Sequence, residues 1–261
     1  MLRLRSLALL TLTIFLLASC SANRRTPKPP IDPQLMNAPK EELFQRAEAA
    51  FEADKWTRAR QLYAYVYENF PNDPLGRRSL LRVADTYFEQ GDPVNLVEAQ
   101  YKYRDFINRY PGSDFADYAL LQIANVSYKQ MERPDRDQAK TREAIQKFKE
   151  MIDAYPQSEH RAVADEKMGK ALDRLAKHEH LVAKFYMTRG NWDAAIARLN
   201  LIVDQYPNYA ERDGTFFDLA SALSSAGRKG EARLYFERVI SEFPKSDFAA
   251  TAKERIDGLS S

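Results

Sequence analysis

Cysteine is nearly absent from this 261-residue chain: Cys20 is the only one. One thiol cannot close an intrachain disulfide, and only His160, His178 and His180 stand beside it, so disulfide scaffolds and cysteine–histidine zinc modules are both excluded. Glycine is scarce too, at nine residues, and neither G-x-G-x-x-G nor G-x-x-x-x-G-K-[ST] occurs. The usual phosphate-cradling loops, and the nucleotide enzymes built on them, have no candidate. What is present suffices for a folded core: 44% of residues are hydrophobic and 29% charged, close to the globular average.

The N-terminus reads as an address. Arg3 and Arg5 precede an apolar stretch, Leu7 to Ala18, interrupted only by Thr11 and Thr13. That is the charged and apolar arrangement of a secretory signal, too short to span about 30 Å of hydrocarbon. The stretch ends Leu17-Ala18-Ser19-Cys20, which resembles the bacterial lipobox, where the thiol accepts a diacylglyceryl group before cleavage. The alternative is an unmodified cysteine just past an ordinary cleavage site. The chain's single thiol stands where lipidation requires one, so residues 1–19 are read as a lipoprotein signal peptide and Cys20 as the lipidated residue. Ser21 follows; in enteric bacteria an Asp there retains a lipoprotein in the inner membrane, so Ser is compatible with outer-membrane delivery.

Removing residues 1–19 takes two arginines, which brings 39 Lys+Arg down to the 37 of Asp+Glu. The mature chain is formally neutral and has no global field to draw in nucleic acid, whose binding needs many phosphates neutralised. Residues 21–39 hold five prolines and little that is apolar. With Cys20 they read as an extended, mobile tether of up to about 60 Å at ~3.1 Å per residue. The globular part is expected to start near Lys40.

An aromatic–proline pair recurs at Phe70-Pro71, Tyr110-Pro111, Tyr155-Pro156, Tyr206-Pro207 and Phe243-Pro244. Twelve residues before each proline stands an alanine: Ala59, Ala99, Ala144, Ala195, Ala232. Eight before stands a large side chain: Tyr63, Tyr103, Phe148, Leu199, Phe236. This resembles the second half of a tetratricopeptide repeat. The small residue lets antiparallel helices approach, the large one four later fills the groove on the same face, and the proline ends the helix. Trp56 and Trp192, three before their alanines, Gly190 and Gly227 at inter-helix turns, and Ala183 with Tyr186 fit the first halves. Ser113, Ser158 and Ser246, two residues past their prolines, are expected to cap the next helix start. The fold class is therefore all-α: a right-handed solenoid of five helix pairs, about ten helices. The repeats lie near residues 40–73, 78–112, 116–157, 160–208 and 212–246, and a C-terminal helix runs to 258, so the repeat domain covers 40–258. Insertions are placed between the two helices of repeats two and three. The first helix of repeat four, about Ser158 to Arg189, is too long for one repeat; its first part is expected to protrude or to cross-brace the ends of the chain.

No catalytic residue is assigned. His178 and His180, two apart on a helix, point about 200° from each other and cannot share one ion. Glu179 is expected to meet a helix–helix contact or a neighbouring arginine. Ser224 and Ser225 lack the G-x-S-x-G pattern. Neither a metal nor a cofactor is expected. Arg189, Arg198, Arg212, Arg228 and Arg233 make the last two repeats arginine-rich, and the sequence leaves open whether they form a solvated face or pair with a partner's carboxylates. Tyr63 and Tyr103 occupy packing positions, whereas Tyr67, Tyr87 and Tyr101 are free to line a concave groove for an extended peptide.

Further segments are similar to the BamD family of outer-membrane β-barrel assembly lipoproteins: Pro29-Pro30, Asp135-Arg136-Asp137-Gln138, Thr141-Arg142-Glu143-Ala144-Ile145, Tyr155-Pro156-Gln157-Ser158, Leu175-Ala176-Lys177-His178-Glu179 and Arg189-Gly190-Asn191-Trp192, in that order across the mature chain. The resemblance implies a non-enzymatic scaffold, lipid-anchored at the periplasmic face of the outer membrane. It would dock on a BamA-like barrel protein through that protein's POTRA domains and help hand over unfolded outer-membrane proteins. It also implies a partner contact on the C-terminal repeats, carried over to Arg198 with Arg189 and Trp192 in support, and a substrate groove on the N-terminal ones. A scaffold for Tol–Pal coordination or peptidoglycan synthesis is the alternative; such proteins usually show an N-terminal coiled coil, and no heptads are present here.

Overall fold

The computed structural model describes Leu35 and residues 37–259, and all regular structure among these is helical. Cys20 and most of the expected tether lie outside the described residues. The helices run α1 (Lys40–Glu52), α2 (Trp56–Asn69), α3 (Pro74–Gln90), α4 (Pro93–Arg109), α5 (Ala116–Lys129), α6 (Ala139–Ala154), α7 (Arg161–Thr188), α8 (Trp192–Gln205), α9 (Arg212–Ser225), α10 (Lys229–Glu242) and α11 (Phe248–Leu259). Each packs on its neighbours in sequence, giving five antiparallel pairs and a closing helix. Among the described residues no helix is long and apolar enough to cross a membrane.

The recurrent spelling acts as the spacing argument requires. The five alanines are fully buried, and the five large residues four positions on are at most 1% exposed. The aromatic residue before each proline leaves the helix with φ between −124° and −132° and ψ between 53° and 66°, because the proline ring disfavours a helical residue ahead of it. The serines then bond the chain ahead. Ser113 Oγ accepts from the Phe115 N–H at 3.3 Å, Ser158 from His160 at 3.0 Å, and Ser246 from Phe248 at 3.2 Å. Where serine is missing, carboxylates substitute: Asp73 accepts from the Leu75 N–H at 2.9 Å, and Asp173 of α7 from the Ala210 N–H at 2.7 Å. Each such bond contributes about 1 kcal/mol.

Three expectations change. The globular part starts earlier than Lys40: Leu35 is buried in the first apolar core with Leu43, Phe44 and Tyr63, and the Ala38 N–H donates to its carbonyl at 3.1 Å. Repeat two has no inserted loop, since only Gly91 and Asp92 separate α3 from α4. Asp92 caps the Val94 and Asn95 N–H groups and Pro93 takes the first helical position, so the extra residues become helix at the start of α4. In repeat three residues 130–138 do form a loop. It is pinned by the buried Gln138, whose Nε2 donates to the Arg133 and Arg136 carbonyls at 2.8 and 3.0 Å.

The third change concerns α7. Its 28 residues make a rod of about 42 Å at ~1.5 Å per residue. The first half neither protrudes nor braces the ends. Ala164 and Met168 close the third core against Phe148 and Met151 of α6, while Ala176 and Ala183 open the fourth core with Leu199 and Phe216. One helix therefore completes one pair and begins the next.

The odd-numbered helices also touch one another, α1 with α3, α5 with α7, α7 with α9 and α9 with α11, so they form the inner row of the solenoid. At the far end α11 closes the last core, with Phe248 stacked on Phe217 at 4.9 Å and Ala252 fully buried.

Candidate partner-binding surfaces

Two polar constellations stand out, one inside the inner row and one on the hairpin of α7 and α8. The first grows from the packing tyrosines. Burying Tyr63 and Tyr103 completely obliges their hydroxyls to find acceptors. Tyr63 donates to Glu48 Oε1 of α1 at 2.6 Å and Tyr103 to Asp85 Oδ1 of α3 at 2.5 Å. Arg82 joins the two carboxylates: Nε and Nη2 reach the oxygens of Glu48 at 2.9 and 3.0 Å, and Nη1 reaches Asp85 at 3.0 Å. Tyr118 of α5 adds a further donor to Asp85 at 3.0 Å, and Phe51 lies under the guanidinium at 3.8 Å. Burial pushes the Asp85 carboxyl up, opposed by Tyr103, Arg82 and Tyr118, and burial with the Asp85 charge raises Tyr103 and Tyr118. Burial lowers Arg82, but Glu48, Asp85 and Tyr63 outweigh it and hold the guanidinium charged. Five helices are tied by one set of charge-assisted bonds, which sequence reasoning missed. The available signal was tyrosine at two packing positions where phenylalanine or leucine fills the others.

The second constellation contains the carried-over residues. Gly190, at φ 70°, turns the chain between α7 and α8, a conformation that costs a side-chain-bearing residue about 1 kcal/mol or more. Asn191 caps α8 by accepting from the Ala194 N–H at 3.2 Å. Arg189 and Trp192 thus flank one turn, and Arg198 lies six residues further along α8. Trp192 packs partly on the fourth core and lines a groove of about 530 Å³ with Met187, Ser221, Ser224, Phe236 and Leu259. Arg189 sets its guanidinium 4.3 Å from the centre of the Phe185 ring, which is 51% exposed.

Arg198 Nη1 donates to Glu179 Oε2 of α7 at 2.8 Å, with side-chain exposures of 42% and 12%. Glu179 therefore meets a neighbouring arginine, as its sequence position suggested. Burial raises the Tyr206 hydroxyl, with the Glu179 charge adding to this and Arg142 of α6 opposing it. The remaining arginines are differently placed. Arg228 and Arg233 pair with Glu231 and Glu237 of their own helix, and Arg212 donates to the Pro207 carbonyl, which leaves these three to surface roles of small energy. Geometry separates Arg198 from the solvated face, whereas Arg189 is exposed and stacks on Phe185.

His178 and His180 diverge as the helix period requires. His178 Nδ1 lies 2.7 Å from the Pro134 carbonyl, whereas His180, 1% exposed, holds Asp218 Oδ2 at 2.8 Å. The three groove tyrosines stand on three different helices. Tyr87 stands on the inner row beneath Arg60 at 3.5 Å, while Tyr67 and Tyr101 belong to even helices. Tyr67 packs partly into the second core and Tyr101 is 61% exposed on α4. The inner row thus carries Tyr87 of the three, and Tyr67 shares the second core with it.

Comparison with known proteins agrees with this architecture. A family model described as YfiO, outer membrane lipoprotein, matches residues 36–234. The outer membrane protein assembly factor BamD of Neisseria gonorrhoeae is 30% identical over 222 residues, 81% of this chain and 82% of that one. BamD of Caulobacter vibrioides is 25% identical, over 75% of this chain and 63% of its own. Among solved structures, the TPR2AB domain–pHSP90 complex of yeast Sti1 is similar at a TM-score of 0.44 and 16% identity, covering 83% of this chain and 84% of that chain. The chain belongs to the BamD/YfiO family of outer membrane lipoproteins.

Proposed function

We propose that the protein is a lipid-anchored scaffold of the β-barrel assembly machinery, held at the periplasmic face of the outer membrane through Cys20. It docks the BamA-like barrel component by the α7–α8 hairpin and presents unfolded barrel precursors to it. The observation that carries this reading is Arg198 at the hairpin surface. It is the one arginine of the last two repeats that reaches across helices to a nearly buried carboxylate, and it keeps exposed N–H donors.

An acidic residue on a POTRA domain fits this arrangement. Losing one member of a desolvated interfacial charge pair costs about 2–5 kcal/mol. Arg198→Glu is therefore expected to reduce co-purification with the barrel component at least tenfold, and a reversed charge on the partner to restore it. Arg198→Met, which places no second carboxylate beside Glu179, serves as the variant that keeps the fold; circular dichroism checks it. Wild-type recovery of the complex with both variants, together with no response to partner charge reversal, overturns the assignment.

Anchorage is tested separately. A single acyl chain binds membranes marginally, whereas two or more bind firmly. Cys20→Ala behind a cleavable leader is expected to abolish palmitate labelling and move the protein from the carbonate-washed membrane to the soluble fraction. Retention in the membrane without label would show that something other than the thioether lipid holds it there.

A further inference from the structure

We infer that α7 is a jointed strut whose bending at Gly169–Leu175 sets the angle between the first three helix pairs and the last two. The third apolar core reaches α7 at Ala164 and Met168, and the fourth begins at Ala176. Between them only Ala171 and Leu175 are buried, and neither core includes them. Gly169 occupies this gap with no atom within 4 Å of the place a Cβ would take, so space does not demand glycine there. Glycine in a helix interior costs about 1 kcal/mol relative to alanine and loosens the turn around it. A cleft of about 170 Å³ opens beside it, between Leu172 and the Tyr206–Tyr209 turn, bridged at its edge where Asp173 accepts from the Ala210 N–H at 2.7 Å.

The contacts that span the joint are polar and lie at its edge. Arg174 Nη1 donates to the Met131 and Glu132 carbonyls at 3.2 and 2.9 Å, and His178 Nδ1 donates to Pro134 at 2.7 Å. Both acceptor sets belong to the 130–138 loop, which Gln138 ties together and which is fixed to the third pair where the Thr141 hydroxyl of α6 donates to Gln138 Oε1 at 2.8 Å. The inserted loop is thus a clasp on the second half of α7, and the glycine is the point about which that half turns. Segments with few buried apolar contacts open at lower free energy than the cores around them.

The proposal predicts opposite responses from two kinds of variant. In the full detergent-purified chain, hydrogen exchange at residues 169–175 should be faster than at 161–168 and 176–183. Gly169→Ala should slow it about fivefold, and Arg174→Ala with His178→Ala should speed it. Spin labels placed through non-natural amino acids at the exposed Val97 and Leu234 leave Cys20 untouched. Their distance distribution should narrow with Gly169→Ala and broaden with the clasp variant, while the fold measured by circular dichroism stays unchanged. Uniform protection along α7, or a distance distribution that neither variant alters, would overturn the inference.

Discussion

Arg82→Ala is expected to lower the unfolding free energy by about 3 kcal/mol in urea titration, more than any other single change on the inner row. Removing one member of a buried ion pair leaves the other charge desolvated and unpaired, a loss of about 3–5 kcal/mol. The lower end applies because the Arg82 side chain keeps 19% exposure. Glu48 and Asp85 each lose their cationic partner, and Tyr63 and Tyr103 then donate to carboxylates that nothing neutralises. Because the groups act as one unit, Glu48→Gln combined with Asp85→Asn should offset part of the Arg82→Ala loss instead of adding to it. Additive effects, or a loss below about 1 kcal/mol, would reduce the network to a set of independent surface pairs.

The second large effect comes from a glycine. A Cβ on Gly76 would stand 1.8 Å from the carbonyl oxygen of Phe70 and 2.7 Å from its carbon, both backbone atoms of the turn that admits α3. Neither atom can swing aside as a side chain does. Gly76→Ala is therefore expected to destabilise by about 2–3 kcal/mol, the range of overpacking, despite the helical preference of alanine. The same substitution at Gly169, where no atom stands within 4 Å, should instead stabilise by about 1 kcal/mol. Thermal unfolding of the two variants side by side gives the sign directly; two shifts in the same direction would contradict this reading of the α2–α3 turn.

The repeat was readable from the sequence because its determinants are local. An alanine, a bulky residue four later and a proline eight after that impose helix, contact and stop within one turn-by-turn segment, and all five copies fold as spelled. What lay beyond reach was how unequal neighbours stack. The length of α7 was visible in its periodicity, but not that its first half would serve the preceding pair, since that depends on where α6 ends. Asp92-Pro93 carried a helix-start signal strong enough to convert an expected loop into an added turn of α4. At the candidate site, Glu179 beside an arginine followed from its helix face. The division among five arginines did not, because partners at 3 or 4 residues in the same helix and partners across a hairpin look alike in composition. The placement of the groove tyrosines was hidden for a related reason: surplus aromatics count rings, and only the alternation of inner and outer helices decides which row carries them.

For the docking proposed above, the Glu179–Arg198 contact has one more consequence. With no partner present, the guanidinium is already neutralised and the carboxylate already satisfied. Only Nη1 is engaged, so an incoming acid would share the guanidinium with Glu179 through its exposed donors. Under the proposed docking, the resident carboxylate would hold the guanidinium in place beforehand, so that a partner acid meets a donor already oriented.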